Sequence, residues 1–386
     1  MPQAGKGPLD GIRIVEFAGI GPGPFCGMML ADHGAEVIRI DRASGSRGGS
    51  QPVTSADVLA RGRKSIAIDL KSAEGVALAR KIAASADGII EGFRPGVMER
   101  LGLGPEELLG DNPKLVYGRM TGWGQTGPYA PYAGHDINYI ALAGALAHFG
   151  RAGGKPTPPI NLVGDFGGGG MMLAFGMVSA LLHVAKGGEG QVIDAAMTDG
   201  TAVLMSMLHG MKNMGVWSED LGANMLDTGA HFYDTYETAD GKFVSIGSIE
   251  PQFYAELRAR AGLAEDADFD AQHDRAQWGA LKDKLAALFK TKTRAEWDAL
   301  MEHSDVCYAP VLTMSEAAAH PHNQARQTFV EVGGHVQPAP APRYSGSATA
   351  TPQPAPMPGD QTDDILSALG IGADEIGALR GAGTVA

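Results

Sequence analysis

Short apolar runs alternate with longer amphipathic segments through the first half of the chain. The apolar runs predict strands at 12–17, 35–41, 65–69, 88–92 and 115–120. The segments between them, such as 74–84, place their apolar residues at helical spacing. This alternation is typical of an α/β fold with a doubly wound, Rossmann-like large domain and a mostly parallel sheet. In such a domain the ligand crevice lies at the carboxyl ends of the strands.

The pattern changes near residue 230, which predicts a domain boundary. Residues 232–247 alternate like strands on either side of Asp240-Gly241, a pair typical of hairpin turns. Pro251 suits the first turn of a helix, and two amphipathic helices are expected between it and residue 301. These elements predict a small α+β unit.

Two apolar helices and one irregular segment complete the pattern. Helices are expected at 171–184 and 198–214, and residues 335–360, rich in Pro, Ala, Ser and Thr, predict an extended arm. The second helix contains Met205, Met207, Met211 and Met214. Flexible thioethers suit a surface that accepts varied apolar shapes, although plain core packing explains them equally well. The helix at 171–184 is short and contains a glycine, so no segment is expected to cross a membrane.

Charge and cysteine content narrow the partners and the compartment. The net charge of −13 argues against nucleic acid as a partner, while local arginines can still hold a small anion. Cys26 and Cys307 suggest neither a metal pair nor a disulfide framework, and no metal-ligand cluster is visible. The residues before Gly11 have no apolar core of the kind found in signal peptides. We therefore expect a cytoplasmic protein.

The loop after the first strand invites comparison with a dinucleotide-binding site. It reads GIGPGP, and Asp41 lies at the end of the second predicted strand, where a ribose-binding acid would stand. However, Pro24 occupies the position of the third glycine in the G-x-G-x-x-G motif. The sequence therefore gives little support to nicotinamide binding.

Two titratable residues lie where loops enter apolar helices, which makes them candidates for proton transfer. His135 stands in Gly-His-Asp just before one predicted helix. Asp165 precedes Gly167–Gly170, which are expected to open the helix at 171–184. An anion near that helix start would meet unpaired N–H groups and the positive end of the helix dipole.

Cationic residues follow three of the predicted strands. Arg42, Lys71 and Arg94 each lie just past a strand end. Any one of them is best explained as a solvated loop charge, but their shared topological position predicts that they converge on one anion. Glu250 precedes Pro251, a position that helix-dipole effects alone can explain.

A series of segments between about Leu9 and Leu379 carries a family resemblance. In chain order they are VEFAGIGPGPF, GAEVIRIDR, AIDLK, EGFRPGVMERLGLGP, RMTGWGQTGP, AGHDINYIALAGAL, NLVGDFGGGG, GQVIDAAMTDG, ANMLDTGAHFYDTYETADGK and GSIEPQFY. Their number and order make the chain similar to the alpha-methylacyl-CoA racemases of the class III CoA-transferase superfamily. The resemblance implies an acyl-CoA substrate and no cofactor besides the CoA of that substrate.

The resemblance also implies an architecture. A large CoA-binding α/β domain with linker helices would comprise residues 1–215 and 320–386, and a small α+β domain would comprise 228–319. Two subunits would interlock as a homodimer, and each active site would combine the large domain of one with the small domain of the other. The partner's Glu250 would then act on His135.

The family's site residues can be carried over position by position. The catalytic groups fall on His135, Asp165 and Glu250. The CoA pocket falls on Arg42, Ile68, Asp69, Leu70, Lys71, Gly92, Phe93, Arg94, Pro95, Gly96, Arg100, Gly134, Asp136, Ile137, Asn138 and Tyr139. The implied reaction epimerises 2-methylacyl-CoA thioesters, for which two acid/base groups must flank one carbon. Backbone N–H groups near Gly134–Asp136 or Gly167–Gly170 would stabilise the enolate oxygen.

Two alternatives belong beside this interpretation. A CoA-transferase of the same superfamily would use Asp165 as a nucleophile and form an acyl-aspartyl anhydride. The transferases usually carry a non-basic residue at the position of His135, in patterns like Gly-Tyr-Asp, so Gly-His-Asp together with Gly-Ser-Ile-Glu favours the racemase. A non-catalytic CoA-binding protein is disfavoured because all three titratable groups are present.

Overall fold

The computed structural model describes residues 7–43 and 54–386, which form two compact units. Part of the segment expected not to be a signal peptide, residues 1–6, lies outside the described range. The first unit contains the described residues up to Ala143, Ile160–Met205 and Gln327–Ala386, and the second contains Gly144–Pro159 and Ser206–Arg326. These bounds differ from the predicted ones chiefly because 144–159 and 206–215 group with the second unit.

A parallel sheet forms the centre of the first unit. Its six strands in the described part of the chain are β1 Arg13–Phe17, β2 Glu36–Arg42, β3 Arg63–Ile68, β4 Gly88–Glu91, β5 Val116–Thr121 and β6 Gln191–Ala196. Their order is β3-β2-β1-β4-β5-β6, and all neighbours are parallel. The predicted Rossmann-like, doubly wound fold is thereby confirmed. The strand order reverses between β1 and β4, which makes their carboxyl ends the topological switch point.

The helices that cover this sheet and build the second unit follow in chain order. They are α1 Pro22–Asp32, α2 Ala73–Ala84, α3 Val97–Arg100, α4 Pro105–Asp111, α5 Asp136–Leu142, α6 Met172–Ala185, α7 Met197–Leu204, α8 Ser206–Asn213, α9 Pro251–Arg260, α10 Trp278–Phe289, α11 Arg294–Met301, α12 Met314–Ala319, α13 Pro321–Ala325, α14 Thr362–Ala368 and α15 Ala373–Gly381. Short 3-10 turns occur at Val58–Ala60, Leu146–His148 and Ala267–Phe269.

Both faces of the parallel sheet are buried. Ile14 and Val15 are neighbours on β1, are fully buried, and belong to different apolar clusters. Successive side chains of a strand point to opposite faces, so each cluster covers one side. Val15 packs in the cluster that contains Ile82 of α2, and Ile14 in the one that contains Met177 of α6. Burial on both faces explains why apolar residues occupy neighbouring positions of β1, as at Ile14 and Val15, instead of strictly alternating with polar ones.

The second unit has its own antiparallel sheet and core. Strands β7 Tyr233–Glu237, β8 Phe243–Gly247 and β9 Tyr308–Pro310 pair in that order. The predicted hairpin around Asp240-Gly241 is confirmed as β7–β8. Trp278 of α10 and Trp297 of α11 lie in the apolar core beneath the sheet.

The expected extended arm at 335–360 is partly wrong. β11, His335–Pro338, pairs antiparallel with β10, Phe329–Val332. Apolar periodicity is weak in this segment, so the pairing of two short strands gave no clear sequence signal.

The helix expected at 171–184 begins much earlier than predicted. Leu162–Met171 is π-helical and continues directly into α6. Gly167–Gly170 therefore lie inside a helix, and the expectation that they open one was wrong. Among the described residues this helix, Leu162–Ala185, is the one long and apolar enough to cross a membrane by length and composition. The expectation that no segment would meet that criterion was also wrong, although a helix in a protein core passes the same test.

The predicted helix at 198–214 is broken at Met205. α7 ends at Leu204, α8 begins at Ser206, and the division between the two units falls at the same place. Met205 is buried, whereas Met207 and Met214 are exposed. A run of good helix formers gave no sequence signal for this break.

Candidate active site

A cleft of about 690 Å³ lies at the switch point of the parallel sheet. Its walls come from the segments that follow the strands at this edge. The lining residues are Phe17, Ala18, Gly19, Ile20, Gly21, Pro22, Gly23, Pro24, Arg42, Ile90, Gly92, Phe93, Arg94, Pro95, Met120, Thr121, Gly122, Trp123, Ala130, Tyr132, Ala133, Gly134, His135, Tyr139, Asn161, Asp165 and Met197. Both predicted proton-transfer residues therefore face one cleft.

His135 is fixed by the backbone at the start of α5. It is the N-cap of the helix, and its N–H donates to Oδ1 of Asn138 at 3.0 Å. The preceding carbonyl, that of Gly134, accepts a hydrogen bond from the Tyr139 hydroxyl. A Cβ at Gly134 would lie 2.7 Å from both Trp123 and Tyr139, so this position has no room for a side chain. The loop is held tightly while the imidazole stays exposed to the cleft.

Asp165 lies within the π-helical segment and is held from two sides. Its N–H donates to Oδ1 of Asp136 at 2.7 Å, and its Oδ2 accepts from Nδ2 of Asn161 at 3.0 Å. Partial burial raises the pKa of Asp165, and the nearby Asp136 charge raises it further. The Asn161 hydrogen bond and His135 act in the opposite direction and lower that pKa. The net effect is a carboxyl group that holds a proton more readily than an exposed one.

The backbone near Asp165 has two unusual features. Ile160, directly before Asn161, has φ 58°, a conformation that is strained for a β-branched residue. The segment from Leu162 onward is π-helical, a rare geometry often found at functional sites. Together they present Asn161 and Asp165 to the same cleft.

The glycine run after Asp165 serves helix packing. A Cβ at Gly168 would lie 2.7 Å from the Thr201 nitrogen, and one at Gly170 would lie 2.9 Å from the Pro22 oxygen. Facing the run on α7, a Cβ at Gly200 would lie 1.8 Å from the Gly168 oxygen. The expected close backbone approach is present, but it brings helices together rather than a ligand. The N–H groups of Gly167–Gly170 lie inside the helix, so the expectation that they could stabilise an enolate oxygen was wrong.

The GIGPGP loop faces the carboxylate of Asp165. Gly21 has φ 68° and ψ −117°, a combination that only glycine adopts readily, and a Cβ there would lie 3.5 Å from Oδ2 of Asp165. Pro22 then starts α1 at the position where the missing N–H costs nothing. The glycines and prolines that failed the dinucleotide motif thus shape a wall of the cleft.

A second cavity of about 780 Å³ adjoins the cleft. Phe17, Ala18, Arg42 and Phe93 line both. Ile68, Asp69, Leu70 and Lys71 line only the second one. Of the three strand-end cations, Arg94 lies on the cleft, Lys71 on the adjoining cavity and Arg42 on both. The structure therefore brings them to one edge of the sheet, as their topology predicts.

The remaining predicted residues lie elsewhere. Gly96, Arg100, Asp136, Ile137 and Asn138 line neither cavity in the described structure. Asp136 is buried under Asp165, Asn138 caps α5, and Arg100 lies beside Gly96.

Glu250 belongs to the second unit. It is exposed and forms the N-cap of α9.

Sequence reasoning missed several residues of the site. Asn161 stands four positions before Asp165, a spacing that puts two side chains on one helical face, and this signal was available once the helix was known to start early. Trp123 and Tyr132 also line the cleft, and Trp123 packs edge-on against Tyr139 with ring centroids 4.7 Å apart. No spacing rule distinguished these aromatic residues from ordinary core.

Across residues 7–43 and 54–386, no group of three or more His, Cys, Asp or Glu side chains could hold a metal ion.

Comparison with known proteins identifies the family. The model of CoA-transferase family III matches residues 9–362. The chain belongs to CoA-transferase family III. The chain is 48% identical to mouse alpha-methylacyl-CoA racemase over 95% of each chain, and 44% identical to the human protein of that name over 96% of each. The crystal structure of a CAIB/BAIF family protein from Brucella suis matches with a TM-score of 0.82 and 27% identity over 94% of this chain and 100% of the other.

These relationships confirm the resemblance that the motifs carried. The family match spans both units of the chain, from the first strand of the parallel sheet to the start of α14. The family and the names of these relatives make two reactions relevant, epimerisation of an acyl-CoA and transfer of CoA.

Proposed function

We propose that this protein interconverts the 2R and 2S epimers of 2-methylacyl-CoA thioesters. The observation that carries the proposal is that His135 and Asp165 face one cleft at the switch point of the sheet. The names of the mouse and human relatives agree with it. On this proposal the protein is an isomerase.

The reaction moves one proton off the carbon next to the thioester and returns another to its opposite face. In one direction His135 takes the C2 proton, the electron pair of the C–H bond forms the enolate, and Asp165 donates a proton to the other face. In the reverse direction the ionised Asp165 takes the proton and the protonated His135 donates it. The raised pKa of Asp165 reduces the mismatch between this carboxyl group and the much weaker carbon acid. Each pKa unit of that mismatch costs about 1.4 kcal/mol. No group beyond the CoA of the substrate is needed.

The enolate oxygen needs hydrogen-bond donors. With the glycine run excluded and the His135 N–H already donated to Asn138, the backbone N–H groups of Gly134 and Asp136 at the start of α5 are the remaining candidates. An oxygen held there would lie beside the imidazole.

The CoA portion extends from the cleft into the adjoining cavity. Arg42 lines both spaces, Arg94 lines the first and Lys71 the second. Guanidinium and ammonium groups are suited to the phosphates of CoA. The thioester end then points toward His135 and Asp165.

The active site is completed by a second subunit. The exposed apolar side chains of Met171, Phe175, Val178 and Leu182 follow one face of the long helix at i, i+4, i+7 and i+11. An apolar stripe of this kind is typical of a surface covered by a partner. The partner's Glu250 accepts a hydrogen bond from the ring of His135 and supports its imidazolium form.

Coexpression of inactive variants tests the shared site. If each site uses two subunits, a His135→Ala chain and a Glu250→Ala chain combine to give one intact site in every mixed dimer. Random pairing makes half of the dimers mixed, so about one quarter of wild-type activity should return. No recovery, or a monomer by light scattering, contradicts the shared site.

A CoA-transferase is the second candidate, favoured by the family itself. Asp165 would attack the thioester carbonyl and form an acyl-aspartyl anhydride, and the CoA thiolate would leave for later transfer to another acid. A basic His135 beside Asp165 favours proton transfer instead.

The deciding experiment uses one pure epimer of a 2-methylacyl-CoA in D₂O. Deuterium at C2 together with drift toward an equal mixture establishes the racemase. His135→Ala and Asp165→Ala should keep acyl-CoA binding and lower exchange by about 100-fold or more. Wild-type turnover in either variant contradicts the assignment, and covalent trapping at Asp165 in place of exchange supports the transferase.

A further inference from the structure

The segment Gly92–Gly96 is a short loop that contributes to both cavities. Phe93, Arg94 and Pro95 line the cleft, and Phe93 also lines the adjoining cavity. The loop leaves β4 after Glu91 and enters α3 through Gly96, which has φ 83°. Since the loop carries no regular secondary structure, something else must fix its conformation.

One guanidinium connects the two ends of this loop. Arg119 on β5 donates from Nε to Oε1 of Glu91 at 2.8 Å and from Nη1 to Oε1 of Glu99 at 2.7 Å. Its Nη2 also donates to Oε2 of Glu99 at 3.3 Å. Glu91 in turn accepts the N–H of Phe93 through Oε2 at 2.8 Å. The strand end, the first loop residues and α3 are therefore tied to the same side chain.

Burial shields most of this connection from solvent. Glu91 is 0% exposed and Arg119 6%, while the side chain of Glu99 is partly exposed. Burial raises the pKa of Glu91, and the Arg119 hydrogen bond lowers the pKa of Glu99. Charge-assisted hydrogen bonds of a planar guanidinium fix direction as well as distance, whereas the ammonium group of a lysine is a point charge without that planar fork.

The cluster itself is unsuited to binding an anion. Two carboxylates and one guanidinium carry a net charge of −1, and none of the three side chains lines either cavity in the described structure. Its effect on a ligand must therefore pass through the loop that it holds.

We propose that Arg119 is a positioning residue, which by bridging Glu91 and Glu99 holds Gly92–Gly96 in the shape that accepts the CoA portion of the substrate. The proposal rests on the proposed function for the identity of the ligand. The shape of the loop, however, can be measured without any ligand.

Glu99→Ala is the informative variant, because Glu99 is partly exposed and alanine favours the helix that contains it. Asp111→Ala is the matched control. Asp111 also accepts two hydrogen bonds from one arginine, Arg80, but that pair lies outside both cavities in the described structure. Melting temperatures close to that of the wild type would establish that both variants are folded.

Calorimetric titration with CoA, which gives Kd, and steady-state kinetics with a 2-methylacyl-CoA, which give KM and kcat, form the first readout. Loss of the bridge should raise Kd and KM about fivefold in Glu99→Ala and leave kcat within about twofold. Asp111→Ala should match the wild type. Equal affinity in the wild type and Glu99→Ala overturns the proposal.

Hydrogen–deuterium exchange of the peptide that contains Phe93 gives the second readout. Exchange of its N–H should be faster in Glu99→Ala and in Arg119→Lys than in the wild type or Asp111→Ala. Unchanged exchange overturns the positioning role whatever the ligand is. If the wild type binds no CoA while exchange changes as expected, the loop is held as proposed and only the proposed function fails.

Discussion

Asn161 donates a hydrogen bond from Nδ2 to Oδ2 of Asp165 at 3.0 Å. The bond favours the ionised carboxylate and lowers its pKa, against the larger effect of burial. In Asn161→Ala the pKa of Asp165 should therefore rise. On the proposed mechanism Asp165 must be ionised to accept a proton, so the acidic limb of kcat/KM should move to higher pH for the epimer deprotonated by Asp165. Loss of a hydrogen bond to a charged group should lower kcat/KM at the acidic end by about 10-fold or more.

Asn161→Asp sharpens this test. A second carboxylate in place of the amide adds like-charge repulsion, so the acidic limb should move in the same direction and further than in Asn161→Ala. Profiles of kcat/KM against pH for each epimer provide the measurement. Superimposable acidic limbs in the three proteins would show that Asn161 does not set the ionisation of Asp165.

Gly200 controls how closely α7 approaches the helix that carries Asp165. Its missing Cβ would lie 1.8 Å from the Gly168 oxygen, so Gly200→Ala forces the two helices apart. Overpacking of this kind costs about 1–3 kcal/mol of unfolding free energy, and displacement of Asp165 should also lower kcat. Urea unfolding and steady-state kinetics measure the two effects.

Gly377→Ala serves as the control for Gly200→Ala. Gly377 lies in α15 of the same unit, and nothing within 4 Å would meet its Cβ. This change should be neutral or stabilising by up to about 1 kcal/mol. If Gly200→Ala is equally well tolerated, the close contact with Gly168 is not what requires glycine.

His231 should make the second unit sensitive to acid. It is fully buried, Nε2 lies 2.8 Å from the Tyr254 hydroxyl, and burial, with smaller contributions from Lys282 and His273, lowers the pKa of His231 to about 4. The unfolded chain binds this proton near its ordinary pKa of 6.5, before the folded protein does. Stability should therefore fall as pH drops from about 6.5 to 4, by up to about 1.4 kcal/mol per pH unit.

His231→Gln isolates this contribution. Glutamine can retain a hydrogen bond with Tyr254 but does not titrate. Unfolding free energies from urea titrations between pH 4 and 7 should fall less steeply in the variant than in the wild type. Parallel curves would assign the acid sensitivity to other groups.

Much of the parallel sheet could be predicted from local pattern because strands such as β1 contain short apolar runs buried on both faces. Ile14 and Val15 need no distant partner to be recognised as strand residues, since both must be covered. Strand-end placement of Arg42 and Arg94 followed from the same pattern. Arg42 and Arg94 were placed by their order in the chain relative to the strands, and that order is read directly from the sequence.

The π-helical segment could not be predicted in this way. Glycines such as Gly167 and Gly168 normally weaken helices, so local propensity places the helix start after them. The structure overrides that preference because α1 and α7 approach so closely that only glycine fits at Gly168 and Gly170. A contact between residues distant in the chain decided where the helix begins.

Sequence by itself determined the fold class and the family, and it singled out His135 and Asp165 as candidates, because these depend on residue type and order. Tertiary structure alone decided that Asn161 contacts Asp165 and that Arg119 joins Glu91 to Glu99. Such contacts depend on distances and directions to about an ångström, set by how strands and helices pack. Periodicity specifies which face a side chain occupies, whereas its partner across that face is set only when the elements come together.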